Sequence, residues 1–101
     1  MTTSLEQIRV TDFRPFEGKD FSLHFSGEIV QTIRLKEVLD LPSYSDRERK
    51  PFSLCFQTDQ KTYYFLQGIY TLDHPLLGPL DIFLVPLGIR DGGMQYEAIF
   101  S

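Results

Sequence analysis

Phe52-Ser53-Leu54-Cys55-Phe56 is the stretch on which the fold turns. Large apolar residues at 52, 54 and 56 alternate with small ones at 53 and 55. This is the period-two rhythm of a strand with one face on a core and one toward solvent. The rhythm continues upstream, where Phe21, Leu23 and Phe25 alternate with Ser22 and His24. Ser26-Gly27 then supplies a tight turn into a second strand, Glu28 to Lys36, with Ile29, Ile33 and Leu35 in phase. Downstream, Thr58-Asp59-Gln60-Lys61 reads as a turn and Thr62 to Leu66 as a fourth strand pairing back. Gly68 marks a bulge or bend before Ile69 to Leu72, and Asp73-His74-Pro75 and Gly78-Pro79 bracket another turn. Leu80 to Leu87 is the most apolar run, and Arg90-Asp91-Gly92-Gly93 is a strong hairpin signal. Met94 to Phe100 closes the series with Tyr96, Ala98 and Phe100 in phase.

Six or seven short strands without a long helix predict an all-β fold, a small antiparallel barrel or compact sandwich. The 101 residues supply one domain, with residues 20–100 as an antiparallel meander and residues 1–18 as a short helical segment. In that segment Ser4 and Gln7 form a capping-box pattern, Thr11 is a second cap, and Gly18 suits a left-handed stop. Helices so short do not stand alone, so Leu5, Ile8, Phe13 and Phe16 should dock against the sheet. The polar stretch 39–51 reads as a long loop between Pro42 and Pro51. Phe21–Phe25 and Phe52–Phe56 echo each other, but alternation alone produces such an echo.

Hydrophobic residues make up 42% of the chain and charged residues 24%, which is globular composition rather than disorder. Nine Phe and five Tyr, with no Trp, read first as core, because each buried ring removes roughly 150–250 Å² from water. The formal charge of −4 argues against a partner held by general electrostatics, and therefore against nucleic acid. One cysteine excludes an internal disulfide. No apolar run is long enough to span a membrane, and the first ten residues lack the basic and apolar regions of a signal peptide. The expectation is a protein of the cytoplasm, or of a particle assembled there, that engages no membrane.

No catalytic or metal-binding constellation emerges from the sequence, and no cofactor is expected. His24 falls on the solvent phase of its strand. His74 beside Asp73 reads as turn chemistry, since no nucleophile motif accompanies it. Cys55 lacks the positively charged setting of a reactive thiol and reads as structural. No CxxC, HxH or HExxH spacing occurs. Gly18-Lys19-Asp20 lacks the spacing of a phosphate loop, and the aspartates are scattered over loops and strand ends. Of the adjacent Tyr63 and Tyr64, at least one should reach the surface.

Two features point to contact with another protein. In Leu80–Leu87 both faces are apolar: Leu80, Ile82, Leu84 and Pro86 on one, Phe83, Val85 and Leu87 on the other, apart from Asp81. Cover of the second face by the N-terminal segment is the expectation, and cover by another chain the alternative. Pro86 cannot donate to a ladder, which predicts a free edge or bulge there. The second feature is the loop around Tyr44, Arg47 and Arg49, residue types common among binding hot spots. These residues, with Phe83, Val85, Pro86 and Leu87, are the candidate interface for a protein partner or a second copy of the chain.

Several motifs also resemble a family of small uncharacterised bacterial proteins, a domain of unknown function. They are Pro51-Phe52-Ser53-Leu54-Cys55-Phe56, Gln67-Gly68-Ile69-Tyr70, His74-Pro75 with Leu77-Gly78, Ile82 to Pro86, and Tyr96-Glu97-Ala98-Ile99-Phe100. Phe13, Phe16-Glu17-Gly18 and Phe21 fit as well. The resemblance implies no catalytic residues. Its members resemble accessory proteins encoded beside phage-tail-collar-like genes, which implies a structural or assembly role. A non-enzymatic interaction module is therefore the leading expectation. A small barrel binding an apolar ligand, or a small acidic inhibitor, is the alternative.

Overall fold

The computed structural model describes residues 8–26, 28–42, 50–62 and 64–100. Six strands form a closed antiparallel barrel: β1 (Asp20–His24), β2 (Val30–Asp40), β3 (Phe52–Gln57), β4 (Gly68–His74), β5 (Gly78–Arg90) and β6 (Gly93–Phe100). Their order around the barrel is β1-β2-β3-β6-β5-β4. The chain is thus two three-stranded meanders joined along the β1–β4 and β3–β6 seams, rather than one continuous meander. The echo of Phe21–Phe25 in Phe52–Phe56 belongs to β1 and β3, which flank β2 within one meander.

The alternating residues fill the interior. Phe21, Leu23, Ile33, Leu35, Phe52, Leu54, Phe56, Leu80, Ile82, Leu84, Tyr96 and Ala98 are all buried. Small barrels fill their lumen with side chains in this way. Full burial of one such Phe or Leu is worth roughly 1.5–3 kcal/mol.

Two bulges break the pattern. In β2, Leu35 faces Phe56 and Glu37 faces Cys55, which leaves Lys36 as the extra residue. In β5, Pro86 faces Tyr96 and Gly88 faces Gln95, which leaves Leu87 extra. A bulge at Pro86 answers its missing N–H, as expected, while closure of the barrel removes any free edge. The β5–β6 turn carries positive φ at Asp91 (53°) and Gly92 (89°), as a two-residue primed hairpin requires.

Three local expectations need correction. Residues 64–66 lie outside any strand, and β3 pairs with β2 and β6 instead of folding back on 62–66. Residues 58–62 and 64–67 cross the barrel end, because β3 finds its second partner in β6 rather than in the next segment. β2 runs on to Asp40, since the bulge resets its phase and brings Val38 inward. Ile29 precedes β2 and is exposed.

Near the N-terminus the chain forms two 3-10 turns, Val10–Asp12 and Arg14–Phe16. The first starts from Arg9, whose N–H donates to the Asp12 carboxylate (2.8 Å), and not from Thr11. Gly18 adopts φ +87°, the left-handed stop its position predicts. Ile8 and Phe13 are fully buried and Phe16 packs against the core. This segment stoppers one barrel end and leaves the outer face of Phe83 uncovered, contrary to expectation. The expected capping box at Ser4 and Gln7 and the contact of Leu5 lie outside the described residues.

Candidate functional site

Both bulges border the same place, the outer side of the β3–β6 seam. Leu39 of β2 faces Ser53 of β3, which faces Ile99 of β6. Phe83 and Ile99 each lie two residues beyond the Val85–Glu97 pair, and Phe83 faces Ile69 of β4. Leu39, Ser53, Ile99, Phe83 and Ile69 therefore follow one another across five strands on the outer surface. Ile69 is 70% exposed, Ile99 61%, Phe83 50% and Leu39 45%. Ser53 is only 4% exposed, because it is a small side chain set between larger neighbours.

A second row runs parallel: Glu37, Cys55, Glu97 and Val85 face one another in sequence across β2, β3, β6 and β5. Here too β3 contributes a small residue. The two small side chains on β3, with the bulged strands β2 and β5 flanking the β3–β6 pair, leave a groove of about 280 Å³. Its lining includes both bulge residues, Lys36 and Leu87, with Glu37, Leu39, Ser53, Cys55, Arg90 and Glu97. Lys36 is held by the Asp91 carboxylate at the β5–β6 turn. That pairing raises the Lys36 pKa and lowers that of Asp91. Burial pushes the Cys55 thiol up, and the neighbouring Glu37 and Glu97 push it the same way. A protonated thiol 3.6 Å from the Gln95 side-chain oxygen is a weak donor and a poor nucleophile.

The histidines are otherwise engaged. His24 points outward, as its strand phase predicts, with Nε2 2.7 Å from an Asp73 carboxylate oxygen. This pair borders an open depression of about 480 Å³ lined also by Ser26, Tyr70 and Thr71. His74 turns away from Asp73 into the barrel end. Its Nδ1 accepts the Leu76 and Leu77 N–H groups (3.1 and 3.2 Å), so Nε2 carries the hydrogen and donates to the Asp12 carbonyl (2.7 Å). Among the described residues, no three His, Cys, Asp or Glu side chains gather as a metal site. None of their helices is long and apolar enough to cross a membrane.

Of the sequence-derived interface residues, Phe83 and Leu87 are exposed, while Val85 and Pro86 are half-buried. Tyr44, Arg47 and Arg49 lie outside the described residues, as does Tyr63, whereas Tyr64 is exposed. Leu39, Ser53, Glu37, Glu97 and Ile99 were missed as site residues. The solvent phase of Ser53, Glu97 and Ile99 was readable, whereas Glu37 and Leu39 lay beyond the expected strand and owe theirs to the bulge at Lys36; the juxtaposition of all five depends on which strands pair.

The class defined by this geometry is a small closed β-barrel, filled inside and patterned outside. The chain belongs to the family described as a domain of unknown function (DUF6916), whose model matches residues 8–100. No curated protein and no solved structure matches it.

Proposed function

We propose that the chain is a non-enzymatic protein-interaction or assembly module. One observation carries this reading: Ile69, Phe83 and Ile99, large apolar side chains on three adjacent strands, follow one another on the outside of the barrel at half exposure or more. A strand facing water ordinarily alternates to polar residues, and contiguous exposed apolar surface is characteristic of protein contact sites. The non-enzymatic part of the reading is supported by the use already made of the reactive groups. His74 serves the fold, His24 is engaged by Asp73 at the surface, and the Cys55 thiol is held protonated. A ligand-binding lumen is disfavoured by the rings and aliphatic groups that occupy it. An accessory role in a bacterial phage-tail-like or secreted particle, assembled in the cytoplasm, belongs to the same proposal. Its support is the motif resemblance set out above.

The test compares the full chain with the Phe83→Ser/Ile99→Ser double variant. Affinity capture with mass spectrometry reads a protein partner, and size-exclusion chromatography with light scattering reads a second copy. The native chain should retain one specific protein, or self-associate, and the variant should lose that property while keeping its circular dichroism spectrum. A strictly monomeric native chain that captures nothing beyond what the variant captures would sink the reading.

A further inference from the structure

We infer that the notch where β1 parts from β4 receives an extended, apolar segment of a protein partner, which adds to the sheet as a short antiparallel strand. The inference rests on the interaction reading above and names the form of what binds. No strand is left with a whole edge free, but the two seams close to different lengths. β3 meets β6 from Phe52 to Gln57, whereas β1 meets β4 only at Ser22, Leu23 and His24. β4 runs on, so Gly68, Ile69 and Tyr70 pair with β5 on one side and with no strand on the other. Alternation of the ladder decides which backbone groups this leaves open. The Phe25 N–H donates to the Ile29 carbonyl (2.9 Å), so odd residues of β1 face β2 and the even ones, Ser22 and His24, face β4. Their partners Asp73 and Thr71 therefore turn N–H and C=O toward β1, and so does Ile69 two residues on. Pro79 opposite Asp73 agrees, because such a pair needs no N–H from it.

The residue that the register would bring opposite Ile69 is Ser26. Its N–H is turned instead to the Ile29 carbonyl (3.4 Å), as the chain leaves for β2. The Ile69 backbone groups thus lack a ladder partner on this side among the described residues. The second observation is the open depression of about 480 Å³ at the same place. It is lined by Ser26, Ile69 and Thr71, and also by Phe25 and Tyr70, whose side chains pack toward the core. Inner side chains border an outer depression only where the wall is parted. An open N–H and C=O on one residue are a template for an extended backbone, which exchanges two hydrogen bonds with it. The incoming residue opposite Ile69 shares its outward direction, where a β-branched apolar side chain pairs with the 70% exposed Ile69. Its two neighbours point the other way, toward the Phe25 and Tyr70 rings, and suit apolar side chains as well.

The experiment is amide hydrogen exchange and two-dimensional NMR on the isotope-labelled full chain, with the capped pentapeptide acetyl-Thr-Val-Val-Val-Thr-amide as probe. In the free chain the Ile69 amide should exchange about a hundredfold faster than those of Thr71 and Asp73, which bond across the seam. The peptide should shift the amides of Gly68, Ile69 and Tyr70 and slow exchange at Ile69. Its counterpart N-methylated at the central valine lacks the N–H that meets the Ile69 carbonyl, and should bind about tenfold more weakly. Ile69→Pro deletes, besides the side chain, an N–H that the β4–β5 ladder does not use. It should weaken the peptide severalfold beyond Ile69→Ala, which keeps that N–H. Equal binding of the two peptides overturns the inference, as does a notch silent at millimolar peptide or an Ile69 amide already protected in dilute chain. Protection of Ile69 that grows with chain concentration assigns the notch to a second copy and overturns it too. Phe83→Ser/Ile99→Ser separates the two proposals. A silent notch alongside capture that depends on Phe83 and Ile99 fails only the strand site, whereas capture indifferent to them fails the interaction reading.

Discussion

The two ends of the barrel are closed by different chemistry. At one end the N-terminal segment inserts Phe13 among rings, with centroids 6.2 Å from Phe21, 6.4 Å from Phe52 and 6.2 Å from Phe100. Its polar connections include the His74–Asp12 hydrogen bond, with the His74 ring edge-on to Phe13, the Val38 N–H bond to the Glu17 carboxylate (2.7 Å) and the Arg14–Asp40 ion pair. At the other end the crossing residues 58–62 and 64–67 are held by a polar relay. The Phe65 N–H donates to the Tyr96 hydroxyl (3.0 Å), which donates to the Gln60 side-chain oxygen (2.7 Å). Backbone bonds from Thr58 to Met94 and from Met94 to Gln60 complete it, and Phe25 stacks on Phe65. The relay leaves the Gln60 side-chain nitrogen buried without a partner among the described residues. Apolar closure tolerates imprecision because dispersion is non-directional, whereas a buried polar closure leaves a cost wherever geometry falls short.

The comparison breaks most visibly at the ring end. Phe13→Ala removes a fully buried ring, and the loss in unfolding free energy by urea titration should be about 3–5 kcal/mol. Next comes the crossing segment. A Cβ on Gly93 would lie 1.8 Å from the Thr58 carbonyl oxygen, so Gly93→Ala must displace that backbone, at roughly 1–3 kcal/mol. Tyr96→Phe keeps the ring but leaves the Phe65 N–H and the Gln60 oxygen unmatched, at about 1–2 kcal/mol. Hydrogen exchange should then accelerate at Phe65 before it does at Phe13. Uniform acceleration at both ends would show that the two closures are one cooperative unit.

The smallest effect is expected outside both ends, at the exposed Lys36–Asp91 pair. The Asp91 pKa is lowered by its bond to Lys36, so its contribution is present above the ordinary carboxylate range and is lost as pH falls through the lowered folded value. The Lys36 pKa is raised, so its share is lost only as pH rises above the ordinary lysine value of 10.5. Asp91→Asn should leave Tm at neutral pH nearly unchanged, because exposed pairs are screened by solvent. A clear drop in Tm would make the pair a structural clasp between β2 and the β5–β6 turn.

The strands were largely readable because alternation is a local signal, as at Phe52–Phe56 and Leu80–Leu84. The stretch 62–66 misled for a different reason: Thr62, Tyr63, Tyr64 and Phe65 are strand-favouring residue types after a turn signal, but β3 takes β6 as its second partner. His74 gave no sign of its buried role, since its partners arrive from Asp12 and from a turn whose placement depends on closure. At the outer groove, Ser53, Cys55 and Glu97 carried a readable solvent phase, whereas Glu37 lay beyond the expected strand and owes its outward phase to the bulge at Lys36. Only the pairing of β3 with β6 made them neighbours.

By itself, the sequence determined which residues face inward along the unbulged strands and where the β5–β6 hairpin turns, because side-chain direction follows position parity and positive φ follows residue type. Tertiary structure alone decided the strand order, the stoppers at the two ends and the rows of the outer surface. Those depend on contacts between residues far apart in the chain, whose free energy is realised only once the barrel has closed.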